Sequence, residues 1–268
     1  MRKMRKIIFL LLFLLIILLV ILCFNKFKNK TISRFINNSP VNNQHTDIVY
    51  LFWTGGYDST FRLCQLLIDE KKKVQPIYIS AIIDNEEHKN TRRKSTKQEI
   101  ESMNLIKLKL NEYYPFTKEK LLPLINIKKI KIDNDINYAI SNLHKKKRMR
   151  RPICQYNALA QVSRDLNRDV EMSVEYAPQT SMMFKNIAHT LYFNNNTYRI
   201  KNNLEKDDKD LYIFKNCTFP TINYSKEKML DIAKNGGYSH ILNYTWSCWY
   251  PKNNKPCGKC IMCRERII

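Results

Sequence analysis

The chain has 268 residues, with 46 lysines and arginines against 24 aspartates and glutamates, and a formal net charge of +22. That length holds one large domain or two small ones and excludes a long repeat array. A hydrophobic fraction of 44% beside 26% charged residues excludes wholesale disorder. The charge has two readings: an anionic partner, or the lysine-rich composition of an AT-rich coding sequence, since Asn, Ile and Lys abound throughout.

The charge is unevenly spread. Residues 1–30 hold Arg2, Lys3, Arg5, Lys6, Lys26, Lys28 and Lys30 without an acid, leaving +15 for the rest. Between these basic groups, Ile7 to Phe24 is an unbroken apolar run with no Gly or Pro. As a helix it would extend roughly 27 Å, close to a ~30 Å hydrocarbon core. A cleaved signal peptide needs a shorter apolar stretch and a small-residue cleavage site, and the run ends in Leu22-Cys23-Phe24-Asn25. The expectation is an uncleaved, single-pass transmembrane anchor over residues 1–30, with its span at 7–24. Basic side chains flank both ends, so the charge count does not set the orientation. Residues 31–46 are polar, Asn-rich and broken by Pro40, which reads as a linker.

Beyond the linker, strand-like and helix-like segments alternate. Asp47 to Trp53 is a short apolar run of the kind found in buried parallel strands, and Ser59 to Glu70 carries apolar residues at helical spacing. Val74 to Ile83 reads as a strand, Thr91 to Met103 as a charged helix, and Leu105 to Leu110 as another strand. Asp135 to His144 and Cys154 to Leu166 read as helices, followed by a strand over Val170 to Val174. No assignment is made from Thr180 to Lys215. This rhythm predicts an α/β fold with a parallel sheet.

The first strand runs into Trp53-Thr54-Gly55-Gly56-Tyr57-Asp58-Ser59-Thr60, after which a helix begins. The chain has only five glycines, so an adjacent pair at a strand-to-helix turn stands out. Gly55 and Gly56 allow a tight turn and close approach to a ligand. Asp58 or Ser59 is expected to cap the helix, whose free N–H groups and positive dipole end suit an anion. No Lys stands in the turn, so it is not a Walker-type loop. An ordinary βα turn with a good cap is the competing reading. The motif resembles the S-G-G-x-D-S loop of the ATP pyrophosphatases, known as PP-loop enzymes, with Thr54 in place of the leading Ser. The resemblance implies a Rossmann-like, adenine-nucleotide α-hydrolase-like domain that adenylates a carbonyl or carboxyl oxygen. It implies that Thr54, Gly55, Gly56, Tyr57, Asp58, Ser59 and Thr60 bind ATP with Mg²⁺, and that Asp58 and Ser59 act catalytically.

Four of the eight cysteines fall in the last 21 residues, as Cys248, Cys257, Cys260 and Cys263. Thiolates at this spacing can surround a tetrahedral Zn²⁺ and close its coordination shell, which gives a structural role. An iron–sulfur cluster accepts the same ligands, and disulfides are the remaining alternative. Cys64 reads as core, and Cys154 and Cys217 as small buried hydrophobes. The C-terminal stretch resembles that of the 7-cyano-7-deazaguanine synthases. The matching residues are Lys226 on a helix, Thr245-Trp246-Ser247-Cys248, Cys257-Gly258-Lys259-Cys260, Cys263 and Arg264. In that family a carboxylate is adenylated, ammonia forms an amide, and a second adenylation drives dehydration to a nitrile. The middle of the chain departs from the family pattern. Ile83-Asp84-Asn85-Glu86-Glu87-His88 and Arg92-Arg93 stand where the family has a different turn, so the substrate stays open. His88 reads as a solvated surface residue.

His144 to Arg151 places six cations in eight positions. A phosphate or nucleic-acid patch, a lipid-facing patch and a solvated face compete for it, and no nucleic-acid-binding motif accompanies it. The expected organisation is the anchor, the linker, a nucleotide-binding domain over 47–215, and its C-terminal helix and zinc segment over 216–268. The expected activity is a membrane-anchored, ATP-dependent carbon–nitrogen ligase acting on a small carboxylate and ammonia, with its domain on the cytosolic side. The alternatives are a tRNA- or nucleobase-modifying PP-loop enzyme and a non-catalytic tethered module.

Overall fold

In a computed structural model, the described residues are 48–80, 94–146, 154–178, 181–264 and 266. The expected anchor, the linker, His88, Arg92, Arg93 and most of the basic run lie outside them. Among the described residues no helix is long and apolar enough to cross a membrane.

The described chain builds a seven-stranded sheet. In chain order the strands are β1 (Ile48–Phe52), β2 (Lys73–Ile79), β3 (Ile125–Ile127), β4 (Val170–Glu171), β5 (Leu191–Asn194), β6 (Thr197–Ile200) and β7 (Cys217–Thr218). Their spatial order is β3-β2-β1-β4-β7-β6-β5. The pairings β1 with β2, β1 with β4, β2 with β3 and β4 with β7 are parallel. The pairings β5 with β6 and β6 with β7 are antiparallel, so the sheet is mixed at one edge rather than wholly parallel. The helices are α1 (Tyr57–Cys64), α2 (Thr96–Tyr113), α3 (Asn134–Lys145), α4 (Cys154–Leu166), α5 (Met182–Ile187), α6 (Lys226–Asn235), α7 (Ser239–Leu242) and α8 (Ile261–Arg264).

Two hydrophobic layers sandwich the sheet, and β1 feeds both. Leu51 and Trp53 point to a layer containing Phe61, Leu63, Ile106, Leu110, Met229 and Ile241, from α1, α2, α6 and α7. Phe52 points to the opposite layer, with Ile136, Ile140, Ala158 and Val162 of α3 and α4. Strict alternation with both faces buried is what makes Ile48–Phe52 read as a continuous apolar run. Cys64 and Cys217 are fully buried in these layers, as expected.

Three segments differ from the sequence reading. The strand expected over Leu105 to Leu110 is the second half of α2. Ile106 and Leu110, four residues apart, are buried, whereas Leu105 and Leu108 are 40% and 64% exposed. Ile-Lys-Leu-Lys-Leu satisfies a period of 2 and of 3.6 alike, and continuation of the preceding helix decides between them. The strand expected over Val170 to Val174 is shorter, spanning only Val170–Glu171. The Met172 amide still donates to the Thr218 carbonyl at 2.8 Å, after which Ser173 to Glu175 continue outside any strand. The unassigned stretch contains α5, the β5–β6 hairpin and a 3₁₀ helix, Lys206–Phe214. The hairpin turns on Asn195 and Asn196, with φ of 49° and 61°, the two left-handed residues of a type I′ turn.

Candidate functional site

The sheet reverses its winding at β1, which continues to β2 on one side and lies beside β4 on the other. In open α/β sheets a ligand crevice forms beyond the carboxyl ends of the strands at such a point. A cavity of about 370 Å³ lies there. Its walls include Phe52 and Thr54 at the end of β1, Ile79 on β2, and Met172, Ser173 and Glu175 after β4.

The glycine turn forms one wall. Gly55 has φ of +70°, and a Cβ there would lie 3.0 Å from both the Glu99 carbonyl oxygen and Met103 Cγ of α2. A glycine at this position therefore satisfies both the left-handed backbone and the close helix. The hydroxyl of Thr54 accepts from the Gly56 amide at 3.3 Å. The Ser59 hydroxyl donates to the Gly56 carbonyl at 3.4 Å and accepts from the Thr54 amide at 3.4 Å. The expected side-chain cap is not formed: the N-cap of α1 is Gly56, and neither Asp58 nor Ser59 caps the helix. Ser59 is drawn back across the turn instead. Thr54, Gly56, Tyr57, Asp58 and Ser59 line the cavity, while Gly55 and Thr60 do not. Thr60 is fully buried and accepts from Trp53 Nε1 at 3.1 Å, so it braces the turn. Among the described residues the buried Tyr57 hydroxyl has no hydrogen-bond partner. Burial, then the charges of Asp58 and Glu227, push its pKa up to about 12.

The far end of the sequence forms the opposite wall. The Trp246 amide donates to the Gly55 carbonyl at 2.9 Å. Ser102 of α2 bridges the two segments: its hydroxyl lies 2.7 Å from the Tyr244 carbonyl and 3.3 Å from that of Gly55. Trp246, Ser247, Trp249, Met262 and Arg266 line the cavity from this side. Glu99 lines it from α2, with its carboxylate accepting from Tyr78 Oη and Ser95 Oγ at 2.7 Å each. Lys226, the first residue of α6, pairs with Glu175 at 3.2 Å, and both line the cavity.

Behind this wall Cys248, Cys257, Cys260 and Cys263 bring their four Sγ atoms within 4.8 Å of one another. Tetrahedral zinc with bonds of ~2.3 Å places its sulfurs about 3.8 Å apart. Here Cys257 and Cys263 are 3.9 Å apart, and Cys260 and Cys263 3.5 Å. All four are free thiols, which sets aside disulfides among them. Backbone amides of Lys259 and Cys260 pull the Cys257 thiol down to about 6, whereas burial pushes Cys248 and Cys263 up. The four residues are thus a metal-binding group whose geometry and soft donors fit zinc. The segment they organise is tied to the fold by Lys94 N–H to the Trp249 carbonyl at 2.8 Å and by Gln98 to Asn254 at 3.0 Å. A metal here would hold Trp246 to Trp249 against the glycine turn.

Sequence reasoning missed Glu99, Glu175 and Arg266 as site residues. The strand-end rule could have found Glu175, because it follows β4 where ligands gather. Nothing local marks Glu99, which reaches the cavity only through the packing of α2 on Gly55.

A mostly parallel α/β sheet with a glycine turn at its winding reversal fits the Rossmann-like α/β class. Within it, the model of the family described as queuosine biosynthesis protein QueC matches residues 203–267. The match supports a QueC-like, PP-loop family over that C-terminal stretch, which holds Lys226, Trp246 and all four cysteines. No curated protein matches the chain, and no solved structure does.

Proposed function

We propose that the chain is an ATP-dependent ligase that adenylates a small carboxylate or carbonyl compound, releasing AMP and pyrophosphate, with ammonia as nitrogen donor. The observation that carries this reading is the contact between the two ends of the domain. The glycine turn and the QueC-matched segment meet through Trp246 and Gly55 and line one cavity.

The parts fit the chemistry. Gly56 faces the cavity without a side chain, and a Cβ there would approach Thr54 Oγ1 at 3.2 Å and the Trp246 carbonyl at 3.7 Å. The start of α1, whose Gly56, Tyr57, Asp58 and Ser59 line the cavity, suits phosphate oxygens. The aromatic and aliphatic walls, with Phe52, Tyr156, Trp246 and Trp249, suit planar ring systems. Among the described residues the lining carries the carboxylates Asp58, Glu99 and Glu175 and the cations Lys226 and Arg266. A triphosphate is ordinarily bound with a divalent cation, and the oxygen donors of Asp58, Thr54 and Ser59 suit magnesium. Bound there, it would supply positive charge to the phosphates. Ser59 would hold the phosphate chain in line through its hydroxyl and Asp58 would hold the cation beside it, so that the carboxylate oxygen can meet the α-phosphorus. The four cysteines carry a structural zinc, and the apolar run at 7–24 anchors the protein in a membrane with its domain on the cytosolic side.

The test is the full chain in detergent with magnesium, ATP, ammonia and a panel of carboxylates, followed by detection of AMP and pyrophosphate. Stoichiometric release that depends on one carboxylate supports the reading. Folded, metal-loaded protein that binds no nucleotide ends it.

A further inference from the structure

The cavity lies beyond the carboxyl ends of the parallel strands, so their first residues mark the opposite edge of the sheet. There β1 begins at Ile48, in register with Lys73, the first residue of β2. The turn into β2 supplies Lys71, and the 3₁₀ helix Pro115–Glu119 after α2 supplies Phe116 and Lys118. Two hydrogen bonds join these segments: the Val74 amide donates to the Lys120 carbonyl at 2.8 Å, and Lys120 Nζ donates to the Lys71 carbonyl at 2.6 Å. Lys71 Nζ stands 4.1 Å from the centroid of the Phe116 ring, which is 42% exposed. Lys71, Lys73 and Lys118 are exposed as well.

The corner is cationic. Of the neighbouring acids, Asp69 accepts from Tyr238 Oη at 2.9 Å and Glu70 pairs with Arg62, while Glu119 stands between Lys118 and Lys120 in the chain. Lysines of this kind suit any anionic surface, and the chain itself selects among them. Residues 25–47 are all that separates Ile48 from the apolar run at 7–24. With that run in a membrane, the end of the domain that begins at Ile48 is tethered at high local concentration to lipid. The cytosolic leaflet is the anionic one. A phenyl ring surrounded by lysines matches its boundary, with the ring at the acyl edge and the ammonium groups reaching headgroup phosphates and carboxylates.

We propose that the corner formed by Lys71, Lys73, Phe116, Lys118 and Lys120 docks on the anionic lipid of the membrane that holds the chain, so that the cavity opens away from the bilayer. This rests on the anchored, cytosol-facing reading given above. The docking face and the nucleotide cavity are separate, since none of the five residues lines the cavity.

The experiment places the full chain in lipid nanodiscs of phosphatidylcholine, with or without roughly a third phosphatidylserine. Acetylation rates of individual lysines are then read by mass spectrometry. Lys71, Lys73 and Lys118 should react at least about threefold more slowly in the anionic discs, whereas Lys185 and Lys259, exposed near the cavity, should not change. About 1 M salt, which screens charges beyond about 3 Å, should remove the difference. The double variant Lys71→Glu with Lys118→Glu should show no protection of Lys73 in anionic discs and unchanged ATP binding. Equal rates in the two discs, or equal protection of Lys185 and Lys259, overturns the proposal. Protection in neutral discs by added RNA, with none from anionic lipid, overturns it in favour of a nucleic-acid face. A chain that stays out of the discs refutes the anchor instead; the same labelling beside free phosphatidylserine-containing vesicles then decides the face, protection of Lys71, Lys73 and Lys118 supporting it and its absence overturning it.

Discussion

Gly55→Ala tests whether the glycine turn is built against α2. Two costs add at this position. A non-glycine residue at φ of +70° costs about 1–2 kcal/mol in the left-handed region. The new methyl group would also stand 3.0 Å from the Glu99 carbonyl and 3.0 Å from Met103 Cγ. Met103 can turn aside, but the carbonyl belongs to a helix whose Ser102, Ile106 and Leu110 are buried, so relief requires shifting α2. Overpacking of that kind costs about 1–3 kcal/mol. The total of roughly 2–5 kcal/mol lowers the melting temperature of a domain this size by on the order of 10 °C. Gly56→Ala is the internal control. Gly56 has φ of −78°, which any residue adopts, and its Cβ would meet only Thr54 Oγ1 at 3.2 Å and the Trp246 carbonyl at 3.7 Å. It should cost under ~1 kcal/mol of stability, yet place a methyl group in the proposed phosphate path and weaken ATP binding. Thermal unfolding by circular dichroism, paired with nucleotide titration, separates the two. Equal melting temperatures for Gly55→Ala and wild type would refute the packing of the turn on α2.

Three further outcomes follow from the same geometry. Asp58→Asn removes the carboxylate of the first turn of α1 and should lower turnover by about 10² or more, with zinc content by mass spectrometry unchanged. Cys260→Ser should lose bound metal and, with it, ATP binding, because Trp246 and Trp249 form a cavity wall; metal loss with unchanged ATP affinity would contradict the scaffold role. Arg62→Met leaves Glu171, only 9% exposed, without its bidentate partner and should cost about 3–5 kcal/mol in denaturant unfolding. The double variant Arg62→Met with Glu171→Leu should recover most of that loss.

The elements legible in the sequence are those whose pattern is local. Asp47 to Trp53, the glycine pair and the apolar stripe of Ser59 to Glu70 announced β1, the turn and α1, because strand, breaker and helix each carry their own period. The four cysteines announced a metal-binding group for the same reason: the ligands lie close in sequence. The β5–β6 hairpin was hidden because its strand residues Tyr192 and Phe193 are 36% and 61% exposed, so no buried stripe marks them. The Asn195-Asn196 pair between two aromatic runs was a usable signal, submerged in an Asn-rich chain. Cavity residues delivered by long-range packing were the least legible. Glu99 stands at the cavity because α2 presses on Gly55, and Trp246 does so through a bond spanning most of the domain. The +22 charge said little about the site, whose described lining holds both carboxylates and cations.

The most direct test of the account is the binding of magnesium–ATP to the full chain in detergent, measured by calorimetry beside Gly56→Ala and Cys260→Ser. If the glycine turn and the cysteine-bearing segment form one nucleotide site, wild type binds at one site per chain and both variants bind at least about tenfold more weakly. Wild type that is folded and metal-loaded but takes up no ATP would contradict it.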